Sequence, residues 1–312
     1  MNAVPRLIVI LGPTASGKSS LGISLAEKLN GEILVCDSTQ VYRHFNIGTA
    51  KVPPGDQRGI PHHLADLVEP NEVFTAGEFR TRALEALAGV TSRGKLPVLT
   101  AGTGLYLRAL LEGLADAPTR SEELRERLRQ KNSQHGHDYL CRLLARLDPE
   151  SADRIAPRDT QKIIRALEMR LLTGKSVGEI HRRGRSALAG YSITKIGLNS
   201  PREGLYTRIN ARTEAMLAAG WLDEVRSLIV SGIPADAKPF QFIGYSELRA
   251  HLEGRASLPE AIEQIQRATR QFSKRQITWF RREKDVHWLN GFGDDAAVES
   301  AALALVQSSV HA

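Results

Sequence analysis

Cysteine is scarce: only Cys36 and Cys141 occur among 312 residues, with no C-x-x-C pair and no histidine pair at metal-ligand spacing. A disulfide framework and a zinc finger are therefore excluded, and both thiols read as small core residues. Aromatic residues make up only 5% of the chain. Long apolar runs are missing too. The first run, residues 7–11, ends in a glycine-rich turn. It is too short for a signal peptide or a membrane span, so a soluble, cytoplasmic protein is expected. No internal repeat and no long low-complexity tract occurs, and there is no H-R-D or D-F-G block of a protein kinase.

What is present is ordinary globular composition, 42% hydrophobic and 25% charged, with a net charge of +7. That length and composition allow one large domain with an insertion, or two domains. The positive balance points to an anionic partner, nucleic acid being the commonest, with simple solubility as the alternative.

Three short apolar runs, residues 7–11, 33–36 and 97–100, each followed by a polar or glycine-rich turn, read as buried parallel strands. Helical stripes over 19–30 and 79–90 alternate with them, which predicts a doubly wound α/β core. From 119 to 185 the chain turns charged and strand-free, an α-helical insertion. Thr119 and Glu122 have capping-box spacing there, and Gly174 sits as a helix C-cap. "SITKIGLN" (192–199) returns to the sheet. Long helices follow over 202–230 and 258–284, and 286–290 reads as a late edge strand. The expected division is a core of 1–118 and 191–312 with an insertion of 119–190. The tail beyond Gly291, rich in Ala and Ser, is expected to fray.

"GPTASGKS" (Gly12, Pro13, Thr14, Ala15, Ser16, Gly17, Lys18, Ser19) fits G-x-x-x-x-G-K-S between a strand and a helix. Its backbone N–H groups can cradle phosphates, Lys18 supplies a positive charge, and the Ser19 hydroxyl can ligate Mg²⁺. The second strand ends at Asp37, at the edge where such sheets bind ligands. A carboxylate there can hold Mg²⁺ or act as a general base, or simply cap a turn; spacing leaves these open. The third strand runs into Gly102, Thr103 and Gly104, a third wall of the same pocket. A small-molecule kinase fits the loop alone, and so does a nucleotide-regulated RNA-binding protein without catalysis. His62-His63 lacks a third ligand and reads as loop-structuring.

Taken together, "GPTASGKS", "DSTQVYRHFNIGTAK" and "AGTGLYLRALLEGL" resemble the tRNA dimethylallyltransferase (isopentenyl-tRNA transferase) family. "HHLADLVEPNEVFTAGEF", "DTQKIIRALE", "LYTRINARTEAML", "QFIGYSEL" and "TRQFSKRQITWFRR" extend the likeness in the same order, over about residues 7–289. Departures are small: Ser19 stands where Thr is usual, Ala101 where Gly is usual, and Val52 where Pro is frequent.

The resemblance implies a phosphate-loop α/β fold and transfer of a dimethylallyl group from its diphosphate to N6 of the adenosine 3′ of the anticodon. Mg²⁺ would be the cofactor, and tRNA and dimethylallyl diphosphate the partners, with the chain a monomer. An enzyme acting on free adenylate is the variant of the same chemistry. Under this likeness the loop holds the leaving pyrophosphate and Arg208 adds a guanidinium to it, an Arg on a solvated face being the bland alternative. Asp37 becomes the general base, with Thr14 and Thr103 positioning the reacting groups. Contacts to tRNA would come from Asp37, Ser38, Thr39, Gln40 and Thr103, from Arg125, and from Gln161, Lys162, Ile163, Ile164 and Arg165. They would also come from Gln241, Phe242, Ile243, Gly244, Tyr245 and Ser246. In the basic stretch 267–284, Lys274, Arg275, Gln276 and Arg281 are further contacts, and Arg270 a phosphate candidate, with an ordinary solvated helix face as the alternative reading of these charges. Ile265, Ala268, Phe272 and Trp279 lie there at core spacing, so most of these aromatics are expected to pack.

Overall fold

The computed structural model describes residues 4–115, 117–136, 138–182 and 186–308. Two compact units result, one from residues 1–110 with 189–312 and the other from 111–188, rather than divisions at 118/119 and 190/191.

The larger unit is built on six parallel strands in the order β3-β2-β4-β1-β5-β6: β1 (Arg6–Leu11), β2 (Gly31–Cys36), β3 (His62–His63), β4 (Leu96–Ala101), β5 (Ser192–Asn199) and β6 (Val286–Asn290). The expected strands are all present. β3 is additional, two residues pairing with Ile33 and Leu34 of β2. β1, β2 and β4 are buried almost end to end, as strands covered on both faces must be. Register does the rest: Leu11 and Cys36 both pair with Ala101, so three strands end level. The turns beginning at Gly12, Asp37 and Gly102 therefore leave the sheet side by side.

Helices α1 (Lys18–Lys28), α2 (Ala76–Ser92) and α3 (Gly104–Leu111) connect these strands or follow them. α2 begins in a full capping box between Thr75 and Glu78. After β5 come α9 (Arg202–Ala218), α10 (Trp221–Val230), α11 (Tyr245–Leu252) and α12 (Leu258–Phe280). The single helix expected over 202–230 is interrupted because Gly220 adopts φ 94°, a left-handed geometry that ends α9 and starts α10. The tail does not fray over the described residues. It forms α13 (Ala296–Ser308), with Val298, Ala302 and Val306 in the core beside β5 and α1.

The smaller unit is helical: α4 (Glu122–His135), α5 (Tyr139–Leu147), α6 (Pro149–Arg154), α7 (Thr160–Thr173) and α8 (Val177–Arg182). Leu128, Leu140, Leu144, Ile163, Ile164 and Leu167 form its core. The cap of α4 is Ser121, whose hydroxyl accepts from Leu124 N, rather than Thr119. Gly174 ends α7 in a left-handed cap as expected. Among the described residues, no helix is long and apolar enough to cross a membrane.

Candidate active site

The phosphate loop starts from β1 and turns through two left-handed residues, Ala15 at φ 63° and Gly17 at φ 85°. Ser16 is fully buried and its hydroxyl donates to Pro13 O at 2.8 Å. Lys18 donates to the same carbonyl at 2.7 Å, folding back over the loop. Burial pulls the Lys18 ammonium down to about 8; Asp37 opposes that pull and Arg212 adds to it. Ser19, in the first turn of α1, is exposed.

Asp37 lies at the turn after β2, where its Oδ1 accepts from both Thr39 N (2.8 Å) and Thr39 Oγ1 (2.7 Å). Its Oδ2 faces Gly102: a Cβ there would lie 2.6 Å from that oxygen, so only glycine lets the carboxylate take this position. Thr103 Oγ1 accepts from Ser38 N at 2.9 Å and donates to Ser38 Oγ at 3.2 Å, locking the Asp37 turn to the third wall. The Cys36 thiol next to it is buried and pushed well above its usual range, first by burial and then by Asp37, so it is an inert core group.

Gln276 of α12 joins the loop to that wall. Its Oε1 accepts from Thr14 N at 2.7 Å and its Nε2 donates to Gly102 O at 2.8 Å. With 6% exposure, its amide is engaged inside the protein rather than offered to an RNA. Arg212, one helical turn beyond Arg208 on α9, carries no motif that marks it in the sequence. Burial lowers its guanidinium and the Asp37 carboxylate opposes that, while Arg212 in turn depresses Lys18. Two cations and one carboxylate thus share the pocket. Arg208, the residue expected at the diphosphate, is otherwise engaged. It donates to Asp294 Oδ1 at 2.6 Å and lies over the Phe292 ring, 3.7 Å from its centre.

The remaining expected residues divide between surface and core. Gln40 donates to Thr49 O and Ala50 O, holding its own loop. In 241–246, Gln241 and Ser246 are exposed and Phe242 and Ile243 half-buried. Gly244 at φ 93° is packed against Trp221, and Tyr245 is fully buried, donating to Glu224 Oε1 at 2.6 Å. On α12, Lys274 and Arg275 are exposed, as is Arg281 just beyond it, while Arg270 donates to Asn210 Oδ1. Of the aromatics expected to pack there, Phe280 is buried and Phe272 half-buried, but Trp279 is 37% exposed and lies over Gly104.

In the helical unit, Gln161 and Lys162 are exposed and Ile163 and Ile164 are core. Arg125 is buried in a two-pronged pair with Glu168 (2.9 and 2.8 Å), which also takes a bond from Arg165 (2.6 Å). Arg125 therefore serves the helical core. His63 bonds Glu32 Oε2 at 2.6 Å on the edge of the sheet, and Arg93 pairs with the same carboxylate, a structural role like the one expected.

Among the described residues no three His, Cys, Asp or Glu side chains cluster to hold a metal. A caged ion is thus not provided for. A Mg²⁺ ion carried mainly by substrate phosphates needs no such cluster, and Ser19, exposed in the first turn of α1, would be its hydroxyl ligand.

A phosphate loop, a carboxylate and two half-buried cations at the carboxyl edge of a parallel sheet define a phosphate-loop α/β enzyme core. Residues 40–283 match the family model described as IPP transferase. The chain is 49% identical to the tRNA dimethylallyltransferase of Solibacter usitatus over 95% of its own length and 96% of that protein. It is 46% identical to that of Koribacter versatilis over 98% and 99%. Among solved structures, the tRNA isopentenylpyrophosphate transferase of Bacillus halodurans superposes with a TM-score of 0.72 at 36% identity, covering 98% and 97% of the two chains. A eukaryotic dimethylallyltransferase acting on tRNA superposes with a TM-score of 0.83 at 28% identity, covering 98% and 80%. The chain belongs to the IPP transferase family of tRNA-modifying prenyltransferases.

Proposed function

We propose that the chain, acting as a monomer, transfers the dimethylallyl group of dimethylallyl diphosphate to N6 of the adenosine 3′ of the anticodon in tRNA, releasing pyrophosphate. The observation that carries this reading is the Asp37 carboxylate, held by Thr39 and turned toward Gly102 at the same sheet edge as Lys18 and Arg212.

Breaking an allylic C–O bond leaves negative charge on pyrophosphate. Loop N–H groups, Lys18 and Arg212 lie ready to stabilise it. The N6 lone pair is delocalised into the adenine ring and makes a weak nucleophile. Asp37 accepts an N–H bond from that amine and takes its proton as the N–C bond forms. Thr103 keeps the Asp37 turn in register through Ser38. Mg²⁺ held by Ser19 and the diphosphate would supply further charge neutralisation to the leaving group.

The adenosine must leave its stack to reach the carboxylate. Exposed Lys274, Arg275 and Arg281 on and beyond α12 supply charge for the RNA backbone. Gln161 and Lys162 are the side chains of their block that remain open to solvent. Incubating the protein with unmodified tRNA and either dimethylallyl diphosphate or ATP, then digesting the tRNA to nucleosides, tests the reading. Prenylated adenosine only with the diphosphate supports it; phosphoryl transfer from ATP, or binding without turnover, refutes it.

A further inference from the structure

We propose that the turn Phe292–Asp295, leaving β6, buttresses the phosphate loop from outside, with Gly293 and Asp294 as positioning residues for diphosphate binding. The proposal rests on the reading that this loop binds a diphosphate.

The contact is between two backbones. Gly293 N donates to Ser16 O at 2.8 Å, engaging the loop on its carbonyl side rather than on an N–H. The Cβ direction of Gly17 points at Gly293 N (2.7 Å) and Asp294 Oδ1 (2.8 Å), and a Cβ on Gly293 would collide with Gly17 O. Neither segment can carry a side chain at this crossing without displacing the other.

Asp294 ties the crossing to the fold. Its Oδ1 accepts from Arg208 of α9, whose guanidinium stacks on Phe292. The turn is closed by Phe292 N donating to Asp295 Oδ2 at 2.7 Å, and it is fixed to the end of β5 by Ser200 Oγ donating to Gly291 O at 2.8 Å. Beyond it, Glu299 of α13 accepts from Ser24 Oγ of α1 at 2.6 Å and pairs with Lys28. One C-terminal segment thus grips both the loop and the helix the loop opens.

The loop needs such support. Gly17 caps α1 without a side-chain bond, and Ala15 sits in a left-handed conformation that non-glycine residues rarely hold. A cradle of N–H groups binds an anion only while those groups converge, so displacing the loop costs affinity directly.

The test compares the wild-type full chain with Gly293→Ala and Asp294→Asn. Pyrophosphate binding is measured by calorimetry, with steady-state kinetics in both substrates and the thermal midpoint alongside. Gly293→Ala is expected to weaken pyrophosphate binding roughly tenfold or more and to raise KM for the diphosphate substrate in parallel. The KM for tRNA should stay within about twofold, a split that general destabilisation would not produce. Asp294→Asn should shift pyrophosphate binding in the same direction by roughly threefold. It decides the matter if Gly293→Ala fails to fold. Unchanged pyrophosphate affinity in a folded Gly293→Ala, or unchanged or tighter binding by Asp294→Asn, overturns the proposal. The underlying function fails separately, through absence of prenyl transfer by the wild type.

Discussion

Thr39 donates twice to one oxygen of Asp37, through its backbone N–H at 2.8 Å and its hydroxyl at 2.7 Å. The second oxygen is left facing the bare backbone of Gly102. A carboxylate held at one oxygen and open at the other is arranged to receive a proton from a bound amine. Replacing Asp37 by Ala should lower turnover by more than about a hundredfold, the usual range for losing a general base. Affinity for tRNA should fall only modestly. Single-turnover rates and filter binding on the same variant separate the two, and near-normal turnover would remove Asp37 from the mechanism.

If the loop holds a diphosphate as proposed, the Lys18 ammonium, drawn down to about 8 by burial, should make that binding sensitive to pH. Its ordinary value is 10.5, so the free enzyme loses this charge as pH rises through about 8. A bound diphosphate favours the charged form. Pyrophosphate affinity should therefore be flat below that point and fall above it, with proton uptake on binding there. Calorimetry in buffers of different ionisation enthalpy reads that uptake, and Lys18→Met should abolish it.

Arg212 and Arg208 lie one helical turn apart on α9 but face different partners. Arg212→Ala should lower kcat by roughly a hundredfold or more, as removal of a stabiliser of developing charge does. Arg208→Ala should act mainly on KM for the diphosphate, through the Asp294 turn. Kinetics showing Arg208 as the larger loss in kcat would reverse this assignment.

Glu168 is fully buried. Burial by itself would raise its carboxyl, but hydrogen bonds from Arg125, Arg165 and Ser121 N outweigh that and hold it at about 2. The folded value lies below the ordinary 4.5. Its stabilisation is therefore complete above about pH 4.5 and lost as pH falls through about 2. Glu168→Gln, which strands Arg125, should destabilise by about 3–5 kcal/mol at neutral pH. It should also flatten the acid dependence of urea unfolding in that window.

Most of the sheet was legible, because β1, β2 and β4 are apolar runs that end in turn residues. β3 was not, since two histidines form a strand only by pairing with β2. The tail helix is hard to see in the sequence because its core face is only Val298, Ala302 and Val306, set in a run of Ala that carries no contrasting polar face. Within the site, the loop and Asp37 could be found from motif and position. Arg212 could not, because an arginine in a helix reads the same whether packing turns it inward or outward. Gln276 and Tyr245 carry the same lesson in reverse. Polar groups in a basic or turn-rich block read as surface, while their hydrogen bonds to Thr14, Gly102 and Glu224 place them inside.

The central claim is that the loop holds a leaving group and that carbon, not phosphorus, moves. Dimethylallyl diphosphate labelled with radiocarbon in the chain and radiophosphorus in the diphosphate tests it in one reaction with unmodified tRNA. The account predicts radiocarbon bound to tRNA and an equal amount of radiophosphorus released as free pyrophosphate, with both lost in Asp37→Ala. Radiophosphorus retained on the tRNA would contradict it.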